Sequence, residues 1–389
     1  MIAPQVGAGA FLLVLSPDHT GTGVPLLLIF LVLDRAPRRW WVPVLIGLML
    51  TWAQIGDRLA LTIGALPIVA VCAVRAYQGL VVRREALRAR VFELQLAVAA
   101  LASAVAADLI VKLIRHLGGY VTAPLQTVFA PSALWPAHLA LTAEGLLGIY
   151  GADFTGTRLS VTAALAVLHL AGLTLAAWAL ARAIRHFFTL EDVIAQVLAV
   201  AILINLAAYL FSALPNTNTN WDNRELASIL PFGAVLAARL LTAHLQRTRL
   251  LPALTAAGCC YLLALAYSQR PAHDQPLASW LTARHLTTGL GSYAEGNSLI
   301  LDSGATLQVY APATWRGAVH PGTQETKATE FDPRLHHADF VVTTGQDGPG
   351  FYIPPRRIIA DFGQPARTYH YETWTIMVWN KNLLTELAR

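Results

Sequence analysis

The stretch Pro215-Asn-Thr-Asn-Thr-Asn-Trp-Asp-Asn-Arg-Glu225, followed by the apolar run Leu226 to Leu241, decides the fold class of this sequence. It places a polar loop, an aromatic residue and three charges (Asp222, Arg224 and Glu225) at the end of an apolar segment of helix length. Polar and aromatic residues gather in this way where a helix leaves a membrane. We therefore expect the corner at residues 215–225 to border any chemistry that the protein performs.

The composition of the whole chain agrees with a membrane protein. Hydrophobic residues make up 55% and charged residues only 13%, and the mean hydropathy is +0.50. A soluble globule of this length needs more charge to cover its surface, so the composition excludes that class. The net charge of +5 is explained by arginines that face an anionic membrane surface, and it does not indicate a nucleic-acid partner.

The cysteines carry no chemical signature. Cys72, Cys259 and Cys260 all lie in apolar runs, and two of them are adjacent. Adjacent cysteines disfavour both an ordinary disulfide and the spacing of a metal site. We interpret all three as small core residues.

The hydropathy pattern predicts a mainly α fold, namely a polytopic transmembrane helix bundle with a small C-terminal extracytoplasmic α/β domain. About eight apolar segments form the bundle, at residues 22–34, 41–55, 59–76, 92–115, 159–182, 191–214, 225–243 and 249–268. Only some of them reach the roughly 20 residues of a straight span. The predicted domains are the bundle at 1–270, with an outer interfacial loop at 116–158, and the α/β domain at 271–389.

The arginines predict the orientation, because short cytoplasmic loops carry an excess of Lys and Arg. Every second connection is basic, with arginines at positions 35, 38, 39, 75, 83, 84, 88, 90, 182, 185, 239, 247 and 249. The alternate connections, near 56–58, 116–158 and 215–225, carry few basic residues. We therefore expect these connections, and everything after residue 268, on the outer side.

Two of the outer regions have a pattern of their own. Leu139 to Tyr150 has the pattern of an interfacial or re-entrant helix that ends at Gly151. After residue 271 the sequence alternates like a soluble α/β domain. Its predicted elements are a helix beginning within 271–287, strands at 297–302, 305–310 and 339–344, two strands within 366–380, and a short helix at 382–387.

The N-terminus does not fit this alternation of inner and outer connections. Met1 falls on the outer side, yet Val6 to Leu15 is too short for a span, and no basic signal region precedes it. We expect preceding membrane helices to be missing from this sequence. Either the true start lies upstream, or a partner chain supplies them.

Two stretches carry a resemblance to a known family. The first is Arg224-Glu-Leu-Ala-Ser-Ile-Leu-Pro-Phe-Gly-Ala-Val-Leu-Ala-Ala-Arg239, and the second is Trp280-Leu-Thr-Ala-Arg-His-Leu-Thr-Thr-Gly-Leu-Gly-Ser-Tyr293, at the entry to the C-terminal domain. With the outer loops and the helix bundle, the chain resembles the C-terminal two-thirds of a membrane glycosyltransferase of the C superfamily (GT-C). It also resembles uncharacterised actinobacterial polytopic membrane proteins.

This resemblance implies transfer of a sugar from a polyprenyl-phosphate carrier to an outer acceptor. It also implies a carboxylate base in the first outer loop, with a divalent metal in some members. No such acidic motif is evident here. The nearest substitute is Asp18 with His19, a carboxylate beside an imidazole that could act as a base pair or as metal ligands. The alternative is that both belong to the ordinary start of a helix.

The charged residues of the corner also have two interpretations. Arg224, beside Asp222 and Glu225, has the shape to hold a lipid-linked phosphate through its fork of donors. Alternatively, Glu225 favours the positive end of the helix that it begins, while Arg224 pairs with lipid headgroups or with Asp222.

A few polar residues fall inside the apolar segments. Asp108 and Lys112 lie four apart on one helix face and can neutralise each other. By helical rise, Asp108, His169 and Asn205 fall at similar depths in consecutive segments. This intramembrane polar layer is either a proton or ion path, or the floor of a substrate cavity, or a set of hydrogen bonds between helices.

The sequence thus predicts a multi-pass protein of the bacterial cytoplasmic membrane. Its expected activity is transfer of a sugar from polyprenyl-phosphate-sugar to an envelope acceptor, by an active, truncated or inactive GT-C-like chain. Membrane lipids are expected partners, and no cofactor is evident beyond the divalent metal that the resemblance admits. The alternative is a non-enzymatic membrane protein, either a partner subunit or a carrier of small molecules.

Overall fold

The computed structural model describes residues 17–121, 128–153, 158, 161–215, 220–248, 252, 256, 275–315, 318–322, 326–344 and 355–387. The chain folds as two compact units. One comprises residues 1–111 and 126–267, and the other comprises residues 112–125 and 268–389. Two predicted segments, Val6 to Leu15 and 249–268, lie outside the described residues apart from positions 252 and 256.

The first unit is helical throughout its described core. Its helices are α1 (Pro17–Arg35), α2 (Trp41–Gly56), α3 (Leu61–Val82), α4 (Val91–His116), α5 (Trp135–Tyr150), α6 (Val161–Arg185), α7 (Val193–Phe211) and α8 (Ile229–Thr248). Helix α3 begins and ends with π-helical turns. The observed helices follow the predicted apolar segments, because each segment is long enough for several helical turns.

Three of the described helices are long and apolar enough to cross a membrane: α3, α4 and α7. The predicted count of about eight spans is not supported. Helix α2 has only 16 residues, fewer than the roughly 20 that a straight span needs. Helix α1 begins with the polar stretch Pro17 to Thr22, which shortens its apolar part.

Helix α7 is the central helix of this unit. It packs against α1, α3, α5, α6 and α8, and 56% of its membrane-length window is buried, compared with 22% for α4. Its sequence is apolar on every side, and such a helix is stable only when neighbours surround it. These five helices are therefore positioned by their contacts with α7.

A three-residue ion cluster fixes the N-terminal end of α7. Asp192 caps the helix by accepting a hydrogen bond from the Ala195 N–H at 3.0 Å. The guanidinium of Arg239, on α8, donates to the Asp192 carboxylate at 2.8 and 3.0 Å. The same guanidinium donates to Asp34, at the end of α1, at 3.0 and 2.8 Å. One arginine thus joins three helices, and its planar fork suits two carboxylates at once.

Two predictions about this unit can be compared directly with the backbone. The predicted helix at 139–150 is confirmed, and it ends as expected because Gly151 adopts a left-handed conformation with φ of 67°. The prediction that Arg224 and Glu225 open a helix is wrong. They lie in a 3₁₀ turn, Asn220–Leu226, and the α-helix begins at Ile229.

The second unit is built on a β-sheet. The described strands are β1 (Tyr120–Val121), β2 (Thr288–Leu290), β3 (Gln308–Tyr310), β4 (Ala313–Trp315), β5 (Ala318–His320), β6 (Thr326–Lys327), β7 (Phe340–Thr344), β8 (Arg367–Tyr371) and β9 (Trp374–Val378). Five of them form a mixed sheet of strand order β3-β2-β7-β9-β8. Strand β2 pairs in parallel with β3 and with β7, and β9 pairs antiparallel with β7 and β8.

The helices of this unit are α9 (Gln275–Ala283), α10 (Tyr293–Asp302) and α11 (Pro355–Phe362). The predicted strands at 339–344 and within 366–380 are confirmed as β7, β8 and β9. The strand predicted at 297–302 is wrong, because this stretch belongs to α10. The reason is an N-cap: the Ser292 hydroxyl accepts from the Glu295 N–H and donates to the Glu295 carboxylate.

The ion cluster at Arg239 yields a prediction about stability. Replacing Arg239→Gln leaves the Asp34 and Asp192 carboxylates close together without their shared counter-charge. We expect a loss of about 1–3 kcal/mol in the free energy of unfolding, measured as a lower unfolding temperature of the full chain in detergent. The matched control is Arg185→Gln, since Arg185 is exposed. Equal unfolding temperatures for the two variants would contradict a stabilising role.

Candidate functional site

The corner that the sequence singled out is anchored to the rest of the unit by Asn223. This residue is 8% exposed, and its Oδ1 accepts a hydrogen bond of 2.8 Å from the Tyr209 hydroxyl on α7. Gly145 of α5 faces the same amide, and a Cβ at Gly145 would lie 2.6 Å from Asn223 Oδ1. The absence of a side chain at Gly145 therefore allows the corner to pack against α5.

Two side chains of helix α5 form hydrogen bonds to backbone carbonyl oxygens of the neighbouring helices α7 and α8. The His138 imidazole contacts the Leu210 carbonyl oxygen at 3.1 Å, near the end of α7. The Tyr150 hydroxyl donates to the Ile229 carbonyl oxygen at 3.3 Å, at the start of α8. The contact at Leu210 provides a partner for a carbonyl in the last turn of α7, where the helix itself supplies none. The bond at Ile229 joins α5 to the start of α8, so α5 is fixed between α7 and α8.

Three buried side chains near the corner carry polar atoms without hydrogen-bond partners among the described residues. They are His169 (Nε2), Asn205 (Nδ2) and Ser228 (Oγ), and their exposed fractions are 9%, 2% and 1%. An unsatisfied buried polar atom costs about 1–3 kcal/mol. Buried polar atoms without partners are typical of sites where a ligand or a water molecule binds.

These three residues are connected to one region of the fold. His169 Nδ1 lies 3.1 Å from the Gly151 carbonyl oxygen. A carbonyl only accepts, so Nδ1 carries a proton, and Nε2 is the ring nitrogen that remains for another group. Ser228 precedes Ile229, whose carbonyl binds Tyr150. Asn205 lies one turn before Tyr209 on the same face of α7, the face that contacts the corner.

A carboxylate from the connection between α2 and α3 reaches the same region. Asp57 accepts hydrogen bonds from the buried Thr22 hydroxyl and, at 2.9 Å, from the Leu59 N–H. The next residue, Gly23, packs against the segment that follows the corner, since a Cβ there would lie 3.5 Å from Ser228 Oγ, and α1 also contacts the 3₁₀ turn Asn220–Leu226. Consecutive residues of α1 therefore connect Asp57 with Ser228.

The site residues predicted in α1 and in the corner differ in whether the structure describes their side chains. The backbones of Asp18 and His19 lie in the first turn of α1, and that of Asp222 lies in the 3₁₀ turn. The side chains of these three residues lie outside the described part of the chain. Arg224 and Glu225 are both half-buried in the turn. The side-chain roles predicted for all five residues stay predictions.

The predicted polar layer is distributed differently along the helices. His169 and Asn205 are buried, whereas Lys112 is exposed. The Asp108 carboxylate is 45% exposed and lies 3.8 Å from the guanidinium of Arg58. Asp108 thus pairs with the connection that also contains Asp57.

The second unit has a smaller polar cluster of its own. The Tyr310 hydroxyl lies 3.1 Å from His336 Nδ1, and the two rings meet edge to face. Burial raises the pKa of the Tyr310 hydroxyl, and the nearby Glu330 carboxylate raises it further. Burial also raises the pKa of Glu330. No local sequence pattern indicates the Tyr310–His336 pair, because its two members are 26 residues apart.

Sequence reasoning also missed Asp57, Asn223 and Ser228. A signal for Asp57 existed, because Asp57 and Arg58 are charged residues in a very short predicted outer connection. Neither Asn223 nor Ser228 carries a comparable signal, because asparagine and serine are ordinary turn residues. Their importance follows only from burial.

Among the described residues, no three His, Cys, Asp or Glu side chains lie close enough together to hold a metal ion. No protein-family profile, curated protein or solved structure matches this chain.

The packing of Gly145 on Asn223 can be tested with two glycines of the same helix. Gly145→Ala forces the new methyl group against Asn223 and weakens its bond to Tyr209. We expect a loss of about 1–3 kcal/mol in the free energy of unfolding. Gly148→Ala is the control, since nothing lies within 4 Å of its Cβ position, and it should gain about 0.5–1 kcal/mol. Thermal unfolding of both variants measures the difference, and equal values would refute the contact.

Proposed function

We propose that this chain is a GT-C-like membrane glycosyltransferase that moves a sugar from a polyprenyl-phosphate carrier to an envelope acceptor. One observation supports this proposal above the others. Thr22 binds Asp57, and the adjacent Gly23 contacts Ser228. These contacts link the Asp57 carboxylate, through consecutive residues of α1, to Ser228, four residues after Arg224, and the proposed reaction needs both a base and a phosphate-binding group.

In the proposed reaction, Asp57 acts as the general base. It accepts the proton of the acceptor hydroxyl as that oxygen forms a bond to the anomeric carbon of the sugar. The bond between the anomeric carbon and the phosphate oxygen breaks, and polyprenyl phosphate leaves with the electron pair. Arg224 holds the phosphate through charge-assisted hydrogen bonds. A divalent metal, where the GT-C resemblance admits one, would stabilise the charge on this leaving group.

The proposed location is the bacterial cytoplasmic membrane, with several passes and with residues 271–389 forming an extracytoplasmic domain. Support comes from the three membrane-length helices and from the arginines that mark every second connection. The arrangement requires the 25-residue helix α6 to cross the membrane as well. An even number of crossings (α3, α4, α6 and α7) then separates the connection containing Asp57 from the corner, and both face the outer side, where a lipid-linked sugar is used.

A second candidate function is a carrier for small polar molecules. The observation that favours it is the set of buried polar atoms on Asn205, His169 and Ser228 that have no partner among the described residues. A solute with several hydroxyl or amide groups could satisfy all three, since they offer both donors and acceptors.

The transferase proposal is tested by lipid-linked sugar turnover in proteoliposomes that contain the full chain. Asp57→Asn should lower kcat about 100- to 10,000-fold, because it removes the base. Arg224→Gln should mainly raise KM for the lipid donor, because it weakens phosphate binding. Thr22→Val keeps the carboxylate but removes its hydrogen bond, so a smaller loss is expected.

Glu144→Gln is the matched control, because Glu144 is an exposed carboxylate on α5, and it should keep the wild-type rate. Undiminished turnover in a folded Asp57→Asn variant would refute the catalytic role. Absence of turnover in the wild type, together with solute uptake that Asn205→Leu abolishes, would favour the carrier.

A further inference from the structure

We propose that a groove between α2 and α4 binds one anionic phospholipid, with its acyl chain in the groove and its headgroup on adjacent arginines. The groove has a volume of about 520 Å³. Its described lining is apolar apart from Gln95, and consists of Trp40, Pro43, Val44, Leu87, Val91, Leu94, Gln95, Val98 and Ala99. This site is independent of the proposed transferase chemistry.

Close packing on one side of the groove gives it a fixed shape. Gly47 of α2 approaches Ala99 of α4, where a Cβ would lie 3.2 Å from the Ala99 carbonyl oxygen. A hydrogen bond of 2.8 Å from Gln54 to Ser103 holds the same two helices together farther along. The helices are therefore fixed along this contact, and the groove lies beside it.

Large apolar side chains remain exposed in the groove. The exposed fractions are 75% for Trp40, 53% for Val44 and 65% for Val98. Helix α4 is one of the membrane-length helices, so hydrocarbon is the medium that its apolar face requires. An acyl chain thus matches the chemistry of the lining.

One end of the groove is strongly basic. The loops at residues 35–40 and 83–93 hold seven arginines and only two acidic residues, Glu85 and Glu93. Arg90 binds Glu85 at 2.7 and 2.9 Å, and both Arg90 and Arg38 lie 3.5 Å from Glu93. The acidic residues are therefore already engaged, which leaves a positive excess for an external anion.

Two of the remaining arginines are next to lining residues of the groove. Arg39 precedes Trp40, and Arg88 follows Leu87; both arginines are exposed. Arg90 is held in place because Gly79 leaves room for its guanidinium, which a Cβ at Gly79 would meet. This combination of a tryptophan, an apolar channel and arginines is complementary to an anionic lipid at a membrane interface.

The experiment compares phosphatidylglycerol with phosphatidylcholine on the purified full chain, by native mass spectrometry and thermal stabilisation. The wild type should retain phosphatidylglycerol selectively. Replacing Arg39→Gln and Arg88→Gln should reduce that selectivity by about fivefold per arginine. Val98→Trp, which fills the groove, should reduce the retention of both lipids. Arg185→Gln, an exposed arginine elsewhere in the same unit, should leave the selectivity unchanged.

Three outcomes would overturn the proposal. The first is equal retention of the two lipids by the wild type. The second is a loss of selectivity in Arg185→Gln as large as in the double variant. The third is stabilisation by soluble glycerol 1-phosphate equal to that by phosphatidylglycerol, because a headgroup alone would then suffice and the groove would be irrelevant.

Discussion

The ion cluster of Arg239 with Asp34 and Asp192 is the interaction on which the arrangement of the first unit depends. Each carboxylate side chain is about a quarter exposed, at 23% and 28%, so water screens the cluster only in part. Removing the arginine would leave two like charges near one another at the start of α7, the most buried of the three membrane-length helices. With the arginine present, the ends of α1, α7 and α8 are fixed together.

The opposite end of α7 is fixed by hydrogen bonds of a different kind. Tyr209 binds Asn223, and the Leu210 carbonyl oxygen contacts His138. With both ends held, the rotation of α7 about its axis is set, and so is the direction in which Asn205 points. The buried polar atoms of the candidate site therefore depend on contacts at both ends of one helix.

Small residues bring the elements of the site close enough for these contacts. Gly23 meets Ser228, Gly145 meets Asn223, and a Cβ at Gly233 would lie 2.6 Å from the Tyr150 hydroxyl. Helix interfaces in membranes favour such residues, because they allow backbones to approach. The site is thus produced by backbone proximity, and few of its polar groups form ion pairs that a sequence pattern would reveal.

Much of the helical framework could be predicted from the sequence, because long apolar segments and Gly151 are local signals. The number of spans was overestimated, because every apolar segment was counted although the apolar part of α1 and the 16-residue α2 are shorter than a straight span. The similar depths of Asp108, His169 and Asn205 stay a prediction. The contact of Asp108 with Arg58 joins elements that are distant in the sequence, and helical rise alone does not specify which helices are neighbours. Asp57 was missed because its link to the corner passes through a tertiary contact at Gly23.

That contact provides the most direct test of the account. In a background with the three native cysteines replaced by alanine, Gly23→Cys combined with Ser228→Cys should form a disulfide on oxidation in native membranes. The Cβ position of Gly23 lies 3.5 Å from Ser228 Oγ and 4.0 Å from the Ser228 Cα, so the two side chains are close enough for a disulfide, which joins Cβ atoms about 3.5–4.5 Å apart. Gly21→Cys with Ser228→Cys should not cross-link, since nothing lies within 4 Å of the Gly21 Cβ position. A folded Gly23 pair that fails to cross-link, or equal yields for both pairs, would contradict a single site joining Asp57 to the corner.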